Sequence, residues 1–201
     1  QMLDMEALII GDPSMPPSLF NVAAENAEPS PIPEALTNRQ AQFIEEVRAH
    51  YSGKLVGVVV LADETIWEPV WLDQVDAIYV FLNPILENPG GSIEAIRDEF
   101  DSILTNQVQP LAEKYGKPII LGVAYPSGDV IGLTNALSTP EQIVTPLEAL
   151  GYQPDYETQA KVYAAALINA ASKDWIDGFI SRGYYPYLEL QDSSSSIYRK
   201  P

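Results

Sequence analysis

Residues 55–61 read Leu-Val-Gly-Val-Val-Val-Leu, an apolar run in which neither alternate set of side chains is polar. Gly53 and Lys54 lead into this run, and the acidic pair Asp63 and Glu64 follows it closely. A strand with one solvated face alternates apolar and polar residues, so a run without alternation predicts a strand that is covered on both faces. Such strands are typical of parallel sheets that carry helices on both sides.

Four other segments predict strands in the same way, and helical patterns separate them. The further strands are residues 8–10, 77–82, 119–125 and 175–185. The helical patterns cover about residues 37–50, 68–74, 92–115 and 157–172, with Ser92 as a cap and Pro110 expected to kink or divide its helix. This alternation predicts a parallel α/β architecture, in one domain that spans residues 1–201.

A dinucleotide-binding sheet of the Rossmann type shares this alternation but needs a glycine-rich turn directly after a strand. Neither the Gly-x-Gly-x-x-Gly pattern nor the P-loop pattern occurs in the chain. Gly90 and Gly91 follow a predicted strand only at a distance. The sequence therefore does not indicate a nucleotide cofactor, and we expect no cofactor of any kind.

The charge of the chain narrows the classes of partner. Its 28 acidic residues against 11 basic residues give a net charge of −17. Such a charge repels phosphate backbones and anionic lipid surfaces, so we expect neither nucleic acid nor a membrane surface as a partner. No apolar run is long enough for a membrane span, and we expect no membrane insertion. Neutral ligands such as carbohydrates remain open.

Two residue types limit the available chemistry. The chain has no cysteine, which excludes disulfides, thiolate metal sites and cysteine nucleophiles. Its one histidine, His50, lies near the end of a predicted helix, where a cation suits the helix dipole. We interpret His50 as structural rather than catalytic, and we predict no metal site.

Three segments resemble clan-A glycoside hydrolases, especially mannanase-like families. Residues 116–127, Gly-Lys-Pro-Ile-Ile-Leu-Gly-Val-Ala-Tyr-Pro-Ser, are similar to the seventh strand of those barrels, where a glutamate precedes a Gly-Tyr pair. Residues 178–186, with Arg-Lys-Pro at 199–201, look like the eighth strand and its tail. Residues 8–13, Leu-Ile-Ile-Gly-Asp-Pro, are similar to the fourth strand, which ends in Gly-Asn-Glu in the family.

This resemblance implies that the chain is the C-terminal portion of a TIM-barrel-like parallel (β/α) barrel, from the fourth strand to the eighth. The N-terminal three βα units would then be absent, and the strands at residues 8–10 and 178–181 would each expose an edge. We expect an N-terminal half-barrel or a homo-oligomer to cover these edges. On the same grounds we expect barrel-facing side chains, among them Val58, Val60, Ile120 and Phe179, to lie open along a cleft.

The resemblance also indicates which positions would carry the catalytic carboxyl groups. Retaining glycosidases use two carboxyl groups about 5–5.5 Å apart, and in these barrels both lie at the carboxyl ends of strands. Aligned on the motif, the nucleophile position is Gly122 and the acid/base position is Pro13, neither of which carries a carboxyl group. Asp12 is one residue away, but a shift of one residue on a strand directs a side chain to the opposite face.

Other residues near the strand ends offer candidates for catalysis or binding. Asp12, Asp63 and Glu64 are the candidate displaced carboxylates, although acidic neighbours are common in so acidic a chain. Aromatic rings near the carboxyl ends of the strands have two possible roles. They can stack on sugars, or they can pack over the barrel rim. The candidate ligand-binding residues are Trp67, Trp71, Tyr125, Arg182, Tyr184 and Tyr185.

Three functions follow from these observations. The first is a glycosidase-like barrel that has lost the standard chemistry and acts, outside the cell or at its surface, as a carbohydrate-binding or structural component. The second is an active glycoside hydrolase that uses displaced carboxylates. The third is an architectural protein that assembles through its sheet edges. Turnover of mannan or glucan oligosaccharides separates the second from the others, and sugar binding without turnover separates the first from the third.

Overall fold

The structure is a computed structural model that describes residues 6–11, 34–62, 65–68, 71–82, 86–123, 125 and 155–181. Its strands are β1 Ala7–Ile10, β2 Lys54–Ala62, β3 Thr65–Trp67, β4 Ala77–Leu82, β5 Ile119–Val123 and β6 Ile176–Ser181. Its helices are α1 Glu34–His50, α2 Ile93–Ile103, α3 Gln109–Tyr115 and α4 Tyr156–Ala171. None of the described helices is long and apolar enough to cross a membrane.

The sheet confirms the predicted parallel α/β architecture. Strands β1, β2, β4, β5 and β6 lie side by side in that order, and all four neighbouring pairs are parallel. The order follows the sequence without the reversal of a Rossmann sheet, which is the order expected of consecutive βα units. The short strand β3, which the sequence did not predict, pairs antiparallel with the end of β2.

Most of the core lies between the sheet and the helices. Leu55, Val59 and Leu61 of β2 point to this side, and the alternate residues of β4 and β5 do the same. Ile44 of α1, together with apolar residues of the other helices, packs onto them. We call this layer the helix side. The opposite face, which we call the inner face, carries a small cluster of Val56, Val58, Ala77 and Tyr79, with partly buried Phe81, Ile120 and Ile180 against it.

The expected open cleft is only partly present. Val58 is buried rather than open, and Ile120 is partly buried on the inner face. Phe179 packs on the helix side instead, because the pairing of β5 with β6 shifts between Ile119 and Ile120 and brings Gly178 and Ile180 to the inner face. The side chain of Val60 lies outside the described residues.

The predicted helix over residues 92–115 is continuous rather than divided. Ser92 caps it as predicted, since its Oγ accepts a hydrogen bond from the Ala95 amide at 3.3 Å. A π-helical segment, Leu104–Val108, joins α2 to α3, and the amide of Gln109 donates to the carbonyl of Leu104. Pro110 lies directly after this wider turn. A π-turn relieves the clash that a proline ring makes with the preceding α-helical turn, so the helix continues.

Two other helix predictions need correction. Helix α1 begins at Glu34, three residues before the predicted start at about residue 37. The helix predicted for residues 68–74 is only the 3₁₀ turn Leu72–Gln74. His50 lies exposed in the last turn of α1, and its Nδ1 is 2.9 Å from the Glu46 carbonyl oxygen.

One ion pair and its hydrogen bonds join helix α1 to the sheet at the amino ends of the strands. Arg48 of α1 donates to Asp76, just before β4, at 2.6 Å, and to the Gly53 carbonyl at 2.8 Å. The same Asp76 oxygen accepts a hydrogen bond from the Leu55 amide at 2.8 Å. These bonds lower the pKa of the Asp76 carboxyl, with the Arg48 hydrogen bond as the largest cause. In barrels of this kind, the amino ends of the strands contribute stability rather than chemistry.

Candidate functional site

Because the five main strands are parallel, their carboxyl ends meet at one edge of the sheet. β1 ends at Ile10, β2 at Ala62, β4 at Leu82, β5 at Val123 and β6 at Ser181. In a (β/α) barrel this edge is the one that carries the active site. Gly11, directly after β1, has a φ of +99°, a conformation that favours glycine because it has no Cβ. The candidate site is therefore the space in front of these strand ends.

Near the centre of this edge, the ring of Tyr79 reaches from the middle of β4 to Gly122, the last residue but one of β5. Gly122 is paired with Phe81 of β4 on one side and with Ile180 of β6 on the other. The ring of Tyr79, two residues before Phe81, lies directly over Gly122. A Cβ built on Gly122 would be 2.0 Å from the hydroxyl oxygen of Tyr79 and 2.3 Å from its Cζ atom. No side chain fits at position 122 while Tyr79 keeps this position.

Tyr79 packs among apolar side chains. Val56, Val58 and Ala77 are buried beside it, and Phe81 and Ile120 are partly buried against the same cluster. Tyr79 thus brings a phenol hydroxyl to a group whose other members are hydrocarbons. A diagonal neighbour on an adjacent strand is within reach of an aromatic side chain, which explains how a residue of β4 covers a residue of β5.

The chain that leaves β5 is held by helix α4. Gln159 is buried, and its Nε2 donates to the carbonyl oxygen of Tyr125 at 2.8 Å. The hydroxyl of Tyr163 accepts a hydrogen bond from the Tyr125 amide and donates to the Val123 carbonyl, both at 3.4 Å. Asp155 caps α4 through the amide of Thr158 at 2.9 Å. The exit of β5 is therefore fixed to a helix that begins at a strong cap.

Tyr125, a predicted ligand-binding residue, lies in the core. It is fully buried on the helix side, and the ring of Phe100 meets it edge to face with centroids 5.9 Å apart. Burial raises the pKa of the Tyr125 phenol well above its usual value, and the nearby Glu99 acts in the same direction, so the phenol stays neutral. The structure places this ring among core residues and not at an open rim where a sugar stacks.

Trp71 has a similar position. It is buried on the helix side beside Leu72 and Val75, and all three fill the space left by Gly57, which has no side chain. A Cβ on Gly57 would be 2.8 Å from the Trp71 ring. The sequence pattern suggested a ring at the barrel rim, but this tryptophan packs under the sheet because β2 offers a glycine there.

The other predicted site residues lie outside the described part of the chain. These are Asp12, Pro13, Asp63, Glu64, Arg182, Tyr184 and Tyr185. The backbone of Trp67 is described as part of β3, but its side chain is not. The structure therefore brings together Gly122 with Tyr79 and leaves the candidate carboxylates as predictions. Within the described ranges, no three His, Asp or Glu side chains cluster as a metal site would require.

Sequence reasoning missed three residues that shape this edge. Tyr79 is an aromatic residue with a hydroxyl inside the otherwise hydrocarbon strand 77–82, and such a residue is a signal for a partner or for a gap on the next strand. Gln159 is a polar residue on the buried face of α4, and Tyr163 follows it by one turn. A buried amide needs hydrogen-bond partners, so a glutamine at position 159 indicates a hydrogen bond to backbone groups outside its own helix.

A shallow groove of about 260 Å³ lies at the other end of the strands. Gly116, Lys117, Pro118 and Trp175 contribute to its lining, and all four precede β5 or β6. This groove is at the amino ends of the strands, where barrels of this type do not carry their chemistry.

Comparison with known proteins supports the fold. No protein-family model matches the chain, and no curated protein sequence is significantly similar to it. Among solved structures, a GH113 β-1,4-mannanase superposes with a TM-score of 0.55 at 17% identity, over 84% of this chain and 48% of that one. The GH113 β-mannanase of Alicyclobacillus acidocaldarius in complex with ManMIm gives 0.50 at 20% identity, over 84% and 47%. The β-D-glucuronidase of Dictyoglomus thermophilum gives 0.51 at 14% identity, over 82% and 26%.

The fold is that of part of a (β/α) barrel. The predicted resemblance to barrels of glycoside hydrolases is confirmed at this level, with the parallel sheet and its helices matching part of the mannanase barrel. Identities of 14–20% demonstrate a shared fold and no more. The chain spans about half the length of the mannanases that it matches and about a quarter of the glucuronidase.

Proposed function

We propose that this chain belongs to a glycoside hydrolase-like barrel that has lost the standard catalytic pair and binds carbohydrate without cleaving it. We further propose that it works outside the cell or at the cell surface. The alignment of residues 116–127 with the seventh strand of these barrels assigns the nucleophile position to Gly122. A retaining glycosidase needs a carboxylate at that position to form its glycosyl-enzyme intermediate.

One observation carries the loss of chemistry. The Tyr79 hydroxyl lies 2.0 Å from where a Cβ of residue 122 would be, so the Tyr79 ring fills the space at the proposed nucleophile position. A glutamate introduced at position 122 would have to displace a tyrosine that is buried among Val58, Ile120 and their neighbours. Because Tyr79 fills the space at position 122, a nucleophilic side chain has no room there. This supports a site that binds carbohydrate without cleaving it.

The proposal of a sugar ligand is supported by fold and by charge. The strand ends correspond to the edge where (β/α) barrel enzymes hold their substrates, and one of the matched mannanases was solved in complex with ManMIm. The net charge of −17 disfavours anionic polymers and leaves neutral oligosaccharides as suitable ligands. The tyrosine-rich segment 184–187 would supply rings for stacking on sugar CH faces.

Two measurements on the same preparation test this proposal. Titration calorimetry with mannohexaose and cellohexaose measures binding, and reducing-end release with 4-nitrophenyl glycoside assays measures cleavage. We expect saturable binding of at least one oligosaccharide and hydrolysis at the background rate. Removal of one general acid–base group alone typically costs about 10²–10⁴ in rate, so a site without both carboxylates should be close to background.

Three variants separate the other functions. Asp12→Asn, Asp63→Asn and Glu64→Gln should leave the background rate unchanged. Robust hydrolysis that any one of these variants abolishes would establish an enzyme with displaced carboxylates and would refute the proposal. Failure to bind any of the oligosaccharides, with no hydrolysis, would instead favour a purely architectural protein.

A further inference from the structure

The groove at the amino ends of the strands has no part in the proposed strand-end site. It lies between α3 and the residues that lead into β5 and β6, and its volume is about 260 Å³. Pockets for drug-sized ligands measure roughly 300–1,000 Å³. The groove therefore has room for about one small ring and, because it is shallow, contacts that ring on one face and at its edges.

Trp175 gives this groove an accessible aromatic ring. It packs against the main core, yet it is only partly buried and also lines the groove. Trp71 and Tyr125, which the sequence placed among the candidate ligand-binding residues, are instead buried on the helix side. Together with Pro118 and Ala112, the Trp175 ring offers an apolar surface for the CH face of a sugar.

Two polar side chains of α3 lie beside this apolar surface. Gln109 and Glu113 are one helical turn apart, and both line the groove. The Nε2 of Gln109 donates to Oε1 of Glu113 at 2.8 Å, which holds the two planar groups together. The amide has a second N–H and an acceptor oxygen, and the carboxylate has a second oxygen. Because a hydroxyl group both donates and accepts, neighbouring hydroxyls of a sugar match this pair.

Backbone hydrogen bonds fix the walls of the groove. Gly116 ends α3 with a φ of +61°, and its amide donates to the Ala112 carbonyl at 2.8 Å. The Ile119 amide donates to the Trp175 carbonyl at 3.1 Å and so joins the starts of β5 and β6. A ligand that enters a preformed site does not have to order its walls, which lowers the cost of binding.

The charges of the groove favour a neutral ligand. Its lining contains one cation, Lys117, and one anion, Glu113. The Lys117 ammonium donates to the carbonyl oxygen of Asp73 at 2.8 Å and to that of Val75, so its position is fixed. A cationic ligand would be repelled by Lys117 and an anionic ligand by Glu113. The net charge of −17 adds to the repulsion of anions.

We infer that this groove binds one pyranose residue of a neutral carbohydrate, with the CH face on Trp175 and hydroxyls on Gln109 and Glu113. The class of ligand rests on the proposed function, whereas the place is a second one, at the opposite end of the strands from Gly122. A methyl hexoside has about thirteen non-hydrogen atoms, which at the ligand efficiency of drug-sized molecules corresponds to a Kd on the order of 1 mM.

NMR titration of the isotope-labelled 201-residue chain with methyl β-glucoside and methyl β-mannoside tests the site. With at least one of these sugars, the Trp175 indole N–H and the Gly116 amide should shift along one saturable curve. Glucosamine and glucuronate, which carry a positive and a negative charge on the same ring, should bind more weakly. The absence of a saturable shift well above this Kd, or equally tight binding of either charged sugar, would overturn the inference.

Substitutions test the ring and the polar pair. Trp175→Leu keeps an apolar side chain against the core but removes the ring, and it should weaken binding about threefold to tenfold. Trp175→Phe should restore most of that loss. Glu113→Ala, at an exposed position, should weaken binding about threefold to tenfold through the loss of a hydrogen bond. The matched control is Tyr156→Leu, which removes an accessible ring on α4 and should leave the Kd unchanged.

Binding that either Trp175→Leu or Glu113→Ala leaves unchanged would overturn the inference. Circular dichroism verifies the fold of each variant, and if Trp175→Leu does not fold, Glu113→Ala decides the question. The strand-end site is followed separately through the Gly122 amide, with mannohexaose as the ligand. Shifts at Gly122 without shifts at Trp175 would refute the groove site alone, and the reverse would refute the strand-end site alone.

Discussion

Leu121 and Ile120 are neighbours on β5, yet they belong to differently packed sides of the sheet. Leu121 is fully buried on the helix side, within a layer that extends across α1, α2, α3 and α4. Ile120 is partly buried on the inner face, against a cluster of four buried residues that includes Val58 and Tyr79. The helix side is a complete core within the described residues, whereas the inner face is packed at its middle and open toward β1, where Ile9 is exposed.

The two faces of the sheet are covered by different parts of a barrel. The helix side needs only the elements of this chain, because each βα unit brings its own cover. The inner face of a barrel is covered by strands from across the barrel. The inner-face side chains of the edge strands are therefore covered only when the barrel is closed. Tyr79 compensates at the middle, since its ring fills the space beside Gly122 that an interior side chain would otherwise occupy.

The largest expected effect comes from a matched pair of substitutions on β5. Leu121→Ala should lower the free energy of unfolding by about 2–5 kcal/mol, because it leaves a cavity in a closed layer. Ile120→Ala should cost about 1–2 kcal/mol, because its side chain keeps contact with solvent and its neighbours. Urea unfolding followed by circular dichroism measures both. Equal costs would show that the inner face is as closed as the helix side.

A smaller effect is expected from adding one methyl group to the inner face. Gly122→Ala should cost about 1–3 kcal/mol, because the new Cβ meets the Tyr79 ring, and the ring must leave a buried position. Gly178→Ala is the matched control on β6: its Cβ would be 3.4 Å from the nearest atom of Ile120, an ordinary contact. Alanine in a strand is about 0.5–1 kcal/mol better than glycine, so this control should be neutral or stabilising.

A double variant tests the cause of that cost. In a Tyr79→Ala background, Gly122→Ala should cost almost nothing, because the ring that it meets is gone. The coupling energy between the two positions should therefore be about 1–3 kcal/mol. If the two substitutions simply add, Tyr79 is not the group that keeps position 122 empty, and the support for a lost nucleophile weakens.

The sequence predicted the layers better than the contacts between them. The five parallel strands and their order follow from apolar runs such as residues 55–61, because a doubly covered strand has a clear composition. The side to which a given ring points could not be predicted the same way. Trp71 fills the gap at Gly57, Tyr79 covers Gly122, and Phe179 turns to the helix side after a register shift. Each depends on a residue of another strand, which a pattern along one strand does not contain.

The smallest expected effect concerns the ion pair between Arg48 of α1 and Asp76 at the start of β4. Asp76→Asn should lower the free energy of unfolding at pH 7 by about 0.5–1 kcal/mol, in line with other solvent-accessible ion pairs, since Arg48 and Asp76 are both partly exposed. Hydrogen bonds from Arg48 and from the Leu55 amide depress the pKa of Asp76 in the folded chain. A depressed pKa stabilises the fold above the unfolded pKa of about 3.9, and this contribution disappears as the pH falls through the lower, folded value.

The difference between Asp76→Asn and the unmodified chain should therefore be constant from pH 7 to about pH 5 and should shrink below about pH 4. Chemical unfolding at a series of pH values measures it, with Asp98→Asn, an exposed carboxyl on α2, as the control for general charge effects. A gap that persists unchanged into acid would mean that Asp76 acts through shape and neutral hydrogen bonds alone. In that case packing, and not the Arg48–Asp76 pair, would hold the helices to the amino ends of the strands. The contrast with the inner face would then rest on buried apolar area.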